Sequence, residues 1–191
     1  MTYDTRDNIN NARSGKFIQM RHLFYGGAYK HYSLYFDARF YKKVIQNQSI
    51  AFRFITDQRY HTHDYLPMYS LPVIGGKEFA RGYFEGTYRD NLLLGVVAEY
   101  RIPFFQDSSS KIWQFWRRLA VHVFASSSQV APDWNSVDLT EMRTTIGIGG
   151  RYVLNFPQRI NLRLDIGYGL HDGATIDGNG WGFYFYIGEA F

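Results

Sequence analysis

The stretch from Gly75 to Pro103, GGKEFARGYFEGTYRDNLLLGVVAEYRIP, decides how the rest of the chain is read. Its second half alternates. Leu92, Leu94, Val96, Ala98, Tyr100 and Ile102 fall on one side, and Gly95, Glu99 and Arg101 on the other. A period of two is the signature of a strand with one apolar and one polar face. The first half, Gly-rich and aromatic around Arg81-Gly82-Tyr83, reads as a loop feeding that strand.

The same period recurs outward in both directions. Residues 32–41 set Leu34, Phe36, Ala38 and Phe40 against Tyr35, Asp37, Arg39 and Tyr41; residues 50–57 set Phe52 and Phe54 against Arg53 and Asp57. Residues 139–154 oppose Met142, Ile146, Ile148 and Tyr152 to Arg143, Gly147, Gly149 and Arg151. The cleanest case is 160–170, where Leu162, Leu164, Ile166 and Tyr168 face away from Arg163, Asp165, Gly167 and Gly169. Strands are also expected over 17–25, 117–126 and 181–191, with a fragment at 2–7. Turns or loops are expected at 8–15, 42–47, 58–90, 103–115, 127–138, 155–158 and 171–180. Eight good strands thus run from Phe17 to Phe191, and the chain divides into an N-terminal segment, 1–16, and one β-domain, 17–191.

Composition narrows the environment. The chain has 191 residues, 46% hydrophobic and 19% aromatic, no cysteine and a net charge of +4. The longest apolar run, Leu92 to Ala98, is far short of the ~20 residues a membrane helix needs. Strands of a membrane barrel hide behind their own alternation and are not excluded. No Lys/Arg run suggests a nucleic-acid partner. Residues 2–16 are polar, so no signal peptide is visible. Polar faces rich in charge, with Tyr100, Tyr152, Tyr168, Trp181 and Phe191 near the ends of apolar faces, favour an outer-membrane barrel with aromatic girdles. On alternation alone a soluble sandwich stays open.

The Gly75–Pro103 stretch also carries a resemblance. A GG-x4-RGY loop leading into a strand that ends Glu-Tyr-Arg-x-Pro is similar to the sixth extracellular loop and following strand of the BamA/TamA family, the bacterial surface-antigen superfamily of outer-membrane assembly factors. The terminal strand Phe183–Phe191, FYFYIGEAF, is similar to the C-terminal insertion signal of outer-membrane barrels, carried by Phe183, Phe185, Ile187, Gly188 and Phe191. The resemblance spans essentially the whole chain. It implies an antiparallel transmembrane β-barrel of about eight strands, the C-terminal half of a family barrel, in the outer membrane of a Gram-negative bacterium. Family barrels have about twice as many strands and periplasmic domains ahead of them.

The resemblance further implies a lock. Arg81, with Gly82 and Tyr83, folds into the lumen and meets an acid on the wall; Glu99 matches the first acidic position. The second, an Asp in a Phe-x-Asp-x-Gly pattern, is Ser126 here, within Phe124-Ala125-Ser126-Ser127-Ser128. Glu99 then carries the interaction nearly alone, or Asp37 or Asp165 substitutes. By parity the lumen also holds Asp37, Arg39, Arg53, Arg101, Arg143, Arg151, Arg163 and Asp165.

Other constellations are weak. His61-Thr62-His63-Asp64 offers too few ligands for a metal, and the 172–180 loop DGATIDGNG lacks the spacing of a calcium loop. The glycines at 147, 149 and 150 sit mid-strand without the Lys-Ser/Thr of a phosphate loop and suit tight packing against the lumen loop. No nucleophile–base arrangement stands out, so no enzyme, metal or cofactor is expected. The expected function is insertion or translocation of proteins through an edge strand and the lumen loop. Its partners would be outer-membrane lipid, client outer-membrane proteins and a second copy joined through edge strands. A passive barrel or small pore, or the membrane anchor of a separate soluble domain, are the alternatives.

Overall fold

A computed structural model of the chain describes residues 1–45, 48–61, 66–104, 118–155, 160–171 and 180–188. Eleven strands are present among them: β1 (Thr2–Asp4), β2 (Gly15–Tyr25), β3 (His31–Lys43), β4 (Ser49–His61), β5 (Val73–Ile74), β6 (Tyr88–Arg89), β7 (Leu92–Pro103), β8 (Leu119–Ala131), β9 (Arg143–Asn155), β10 (Ile160–Gly169) and β11 (Trp181–Ile187). Nine form one antiparallel sheet in the order β1-β2-β3-β4-β7-β8-β9-β10-β11, and β5 pairs with β6 as a separate two-stranded ribbon. The sheet is a pure meander. A long excursion between β4 and β7 carries the ribbon and the Arg-Gly-Tyr tip.

Burial is inverted relative to a water-soluble protein. The face lined by Asp37, Arg53, Glu99, Arg101, Arg151, Arg163 and Asp165 is buried, each of them 3% exposed or less. The opposite face exposes Ile50, Phe52, Val123, Ile146, Ile148, Leu164, Trp181, Phe183, Phe185 and Ile187. A soluble sandwich would turn these faces the other way, because apolar area removed from water drives its folding. A hydrocarbon surround leaves the outer face satisfied and every backbone group between paired strands bonded.

The sheet curls around its charged face. Glu99 on β7 bonds Arg163 on β10, three strands away. Arg101 on β7 donates at 2.9 Å to the carbonyl of Ala12, in the turn between β1 and β2. Flat strands spaced about 4.8 Å apart could not be bridged so. The sheet stays open, however: among the described residues no ladder joins β11 to β1 or β2.

Several boundaries differ from the sequence expectation. Residues 127–131 belong to β8, not to a loop. Ser126 and Ser128 are buried on the inner face and Ser127 bonds Thr144 across to β9; in a lumen, serine is an ordinary wall residue, so turn-like composition misleads. Conversely Leu139–Glu141 is a 3-10 turn rather than the start of β9, because the Asp138 side chain accepts from the Thr140 N–H. β3 runs on to Lys43, and β2 begins at Gly15. The 1–16 segment is not separate from the barrel domain: β1 pairs with Phe17–Gln19 of β2, and Asn11 and Ala12 are buried under the lumen.

Candidate functional site, the lumen-loop lock

The excursion between β4 and β7 folds back into the curl. Gly75 and Gly76 adopt φ of +108° and +86°, a left-handed reversal open to glycine, and Gly86 (φ +78°) brings the chain back to β6. Between them Phe79, Ala80, Arg81 and Tyr83 are almost wholly buried, while Lys77, Glu78, Phe84 and Glu85 stay exposed. Ala80 is the one described non-glycine residue at positive φ, 52°. Its N–H donates to Ser126 Oγ at 3.2 Å, and its carbonyl accepts from the Tyr83 N–H at 2.9 Å. Bonds on both sides of a strained residue keep the tip in one shape.

Arg81 meets two carboxylates. Its guanidinium lies 3.3 Å from Glu99 Oε2 and 3.0 Å from Asp165 Oδ2, and its Nε donates to the Lys77 carbonyl at 2.9 Å. The same guanidinium lies 4.1 Å from the centre of the Phe124 ring, a cation–π contact strengthened where water is excluded. Of the two substitutes considered for the missing second acid, Asp165 meets Arg81. Asp37 instead belongs to a separate cluster, with Arg39 at 2.6 Å and Arg53 at 2.9 Å, the latter also 3.3 Å from Glu78 of the loop. Ser126, standing where the family's acid would be, holds the loop backbone rather than the guanidinium.

Glu99 is the hub. Beside Arg81 it takes Arg101 at 2.8 Å, Arg163 at 3.1 Å and Arg151. Asp165 takes Arg163 at 3.1 Å and the Tyr186 hydroxyl at 2.9 Å. His122, which sequence reasoning passed over, is fully buried beside them: its Nε2 is 2.6 Å from Arg163 Nη2 and 3.0 Å from Asp165 Oδ1. Parity alone could have flagged it, since His122 shares the inner face of β8 with Phe124 and Ser126. Arg143 lies on the inner face of β9 nearer the loop, 5.0 Å from the Tyr88 ring centre.

Glycines clear the seat for the tip. A Cβ on Gly82 would stand 2.8 Å from the Gly169 Cα, and one on Gly167 would stand 2.7 Å from the Arg81 carbonyl carbon. One on Gly182 would strike the Tyr184 ring and the Arg81 carbonyl oxygen. The packing expected of Gly147, Gly149 and Gly150 is therefore found elsewhere. Gly147 makes room for Phe124, Gly149 for His122 and Asp165, and Gly150 faces open space.

Tyr83 completes the closure. It is fully buried; its hydroxyl accepts from the His171 N–H at 3.2 Å, and its carbonyl accepts from the Tyr184 hydroxyl at 2.7 Å. The inner face of the edge strand β11 thus holds the loop through Tyr184 and Asp165 through Tyr186, while Phe183, Phe185 and Ile187 point outward, each at least 67% exposed. Gly188 follows at φ +113°. Phe191, His63, Asp64 and residues 172–179 lie outside the described residues.

The family model for the Omp85 superfamily domain matches residues 1–191. The chain belongs to the Omp85 superfamily. It is similar to the crystal structure of BamA from Haemophilus ducreyi lacking POTRA domains 1-3, with a TM-score of 0.71 at 14% identity over 97% of this chain. The chain spans 40% of that structure. No curated protein matches it. This Omp85 chain therefore has the all-β barrel fold of the BamA type, and among its described residues no ladder joins β11 to β1 or β2.

Proposed function

We propose that this Omp85 chain assists the insertion or translocation of other proteins at the bacterial outer membrane, using its open edge as a template. The observation that carries the reading is the described edge of β11, beside a lumen filled by the inserted loop. β11 has its one described ladder on the β10 side, while Tyr184 and Tyr186 on its inner face hold the loop and Asp165. Such an edge presents unpaired N–H and C=O groups to which an incoming strand adds by β-augmentation. In hydrocarbon the drive is stronger, since unpaired backbone groups have no water to bond.

The lock supports the same reading. It fills the lumen with Arg81, Tyr83 and Phe79, which argues against a wide passive pore, and it fixes the inner face of β11 while no described strand pairs with its outer edge. The partners are client outer-membrane proteins and the surrounding lipid; the chemistry needs no catalytic group. A photo-crosslinking residue at Phe183 of β11, in cells making the protein, tests it. Adducts with newly made barrel proteins are expected. Adducts at Leu164, on the lipid-facing side of the doubly paired β10, in equal yield would contradict edge templating.

A further inference from the structure

The inserted loop meets the wall at a second place, on β3, β4 and β7. Phe79, two residues before Arg81, is 6% exposed and packs in a buried apolar cluster with Ile55 of β4 and Leu93 and Val97 of β7. A Cβ on Gly95 would stand 3.4 Å from Phe79 Cδ1 and 3.2 Å from Ile55 Cγ2, so bare β7 backbone forms the floor of this socket. The Arg53 guanidinium caps it, 4.6 Å from the centre of the Phe79 ring. Such a contact gains strength where water is excluded, and Arg53 is 2% exposed.

A guanidinium buried this deeply needs a carboxylate in good geometry. Asp37 of β3, fully buried, supplies it. Arg53 Nε donates to Oδ1 at 3.0 Å and Nη2 to Oδ2 at 2.9 Å, a two-point bond that fixes the plane of the fork. The Tyr35 hydroxyl donates to the same carboxylate at 3.1 Å. Arg53 also donates to Glu78 at 3.3 Å, but that carboxylate is half exposed and adds little. These residues are different from those that meet Arg81, namely Glu99, Asp165 and Phe124. The direction of the charge is also reversed. Arg81 reaches from the loop to acids of the wall; Arg53 reaches from the wall to a ring of the loop.

We propose that this socket is a second, independent anchor of the loop, with Arg53 as its positioning residue. It keeps Phe79 in the lumen when the Arg81 contacts to β7 and β10 open, so the β10–β11 side can loosen without emptying the lumen. The inference concerns the loop alone and does not rest on edge templating.

The full chain, folded in detergent with mono-, di- and trifluorophenylalanine in turn at position 79, tests it by thermal unfolding followed on heat-modifiable gels. Fluorine draws electron density off the ring face and weakens a cation contact in steps. The midpoint should fall stepwise with fluorine count, lose that trend in Arg53→Gln and keep part of it in Arg53→Lys. A response to fluorine size alone would be the same with or without the cation. Should Arg53→Gln not fold, the same series at lipid-facing Phe183 is the control and should be flat. The trend at position 79 should persist in Arg81→Ala, and in the milder Arg81→Lys. A midpoint that ignores fluorination at position 79, or falls equally in Arg53→Gln or at Phe183, would overturn the hold of Arg53 on the ring. A trend abolished in folded Arg81→Ala or Arg81→Lys would overturn the second anchor, because Phe79 then leaves its socket once Arg81 lets go.

Discussion

Arg81, on the tip of the inserted loop, lies 3.0 Å from the carboxylate of Asp165 on β10, while reaching Glu99 on β7 at 3.3 Å. One cation therefore joins strands three apart in the sheet. All three side chains are 1% exposed or less. The lock is a three-body arrangement, and its energetics should show it.

Arg81→Ala leaves two buried carboxylates short of a partner, and each of Glu99→Gln and Asp165→Asn leaves guanidiniums short of one. Each single change should destabilise by about 3–5 kcal/mol, less wherever water enters the mouth. Arg81→Ala combined with Glu99→Gln should cost less than the sum by about 1 kcal/mol or more. Additivity in denaturant unfolding would mean that Arg81 and Glu99 do not interact.

Gly167→Ala puts a methyl group 2.7 Å from the Arg81 carbonyl carbon, in a wall with little room to move. A loss of about 1–3 kcal/mol is expected from overpacking, together with protease sensitivity of the 75–87 tip. Gly150→Ala, where nothing lies within 4 Å, is the control and should be close to neutral. Equal effects from the two would show that the loop does not rest on β10.

Trp181 faces outward and is 53% exposed beside Tyr168, their rings 4.9 Å apart. In a variant retaining only this tryptophan, brominated lipids should quench its fluorescence strongly. A variant retaining only Trp134, whose Nε1 donates to Gln58 at 2.5 Å, should be quenched much less. Comparable weak quenching in both would contradict a lipid-facing outer surface.

Acid should loosen the connection between β8 and β9 before the lumen. Hydrogen bonds from the Ser136 side chain and backbone hold Asp133 below its ordinary value, and those from Thr140 do the same for Asp138. A carboxyl depressed in the fold contributes above its unfolded pKa, near 3.8, and that contribution disappears as pH falls through the folded value. Amide protection at Ser136 and Thr140 should be flat from pH 7 to 5 and fall below about pH 4. Loss of protection already at pH 6 would require a different cause.

Much of the architecture was legible from parity. A period of two fixes which residues face the same way, and the charged set Asp37, Arg53, Glu99, Arg101, Arg151, Arg163 and Asp165 followed from it. Pairing inside the lumen was not legible, because the curl of the sheet decides which strands face one another. Nothing local separates Asp37 from Asp165 as the partner of Arg81. Ser126–Ser128 misled for a related reason: serine signals a turn in water, but in a polar lumen it is wall. The tip needed the Arg-Gly-Tyr resemblance; alternation carries no signal through a loop held by Ala80 at positive φ and by Ser126.

The most direct measurement of the proposed function is the rate at which a urea-unfolded outer-membrane protein folds into lipid vesicles containing this chain. The β2 and β11 edges are first left free and then covalently bridged by cysteines replacing Phe24 and Phe183, both on the outer face. Free edges should accelerate client folding over protein-free vesicles, and oxidation should remove the acceleration while reduction restores it. Acceleration that is unchanged by a bridge formed in high yield, or absent with the edges free, would contradict edge-templated insertion.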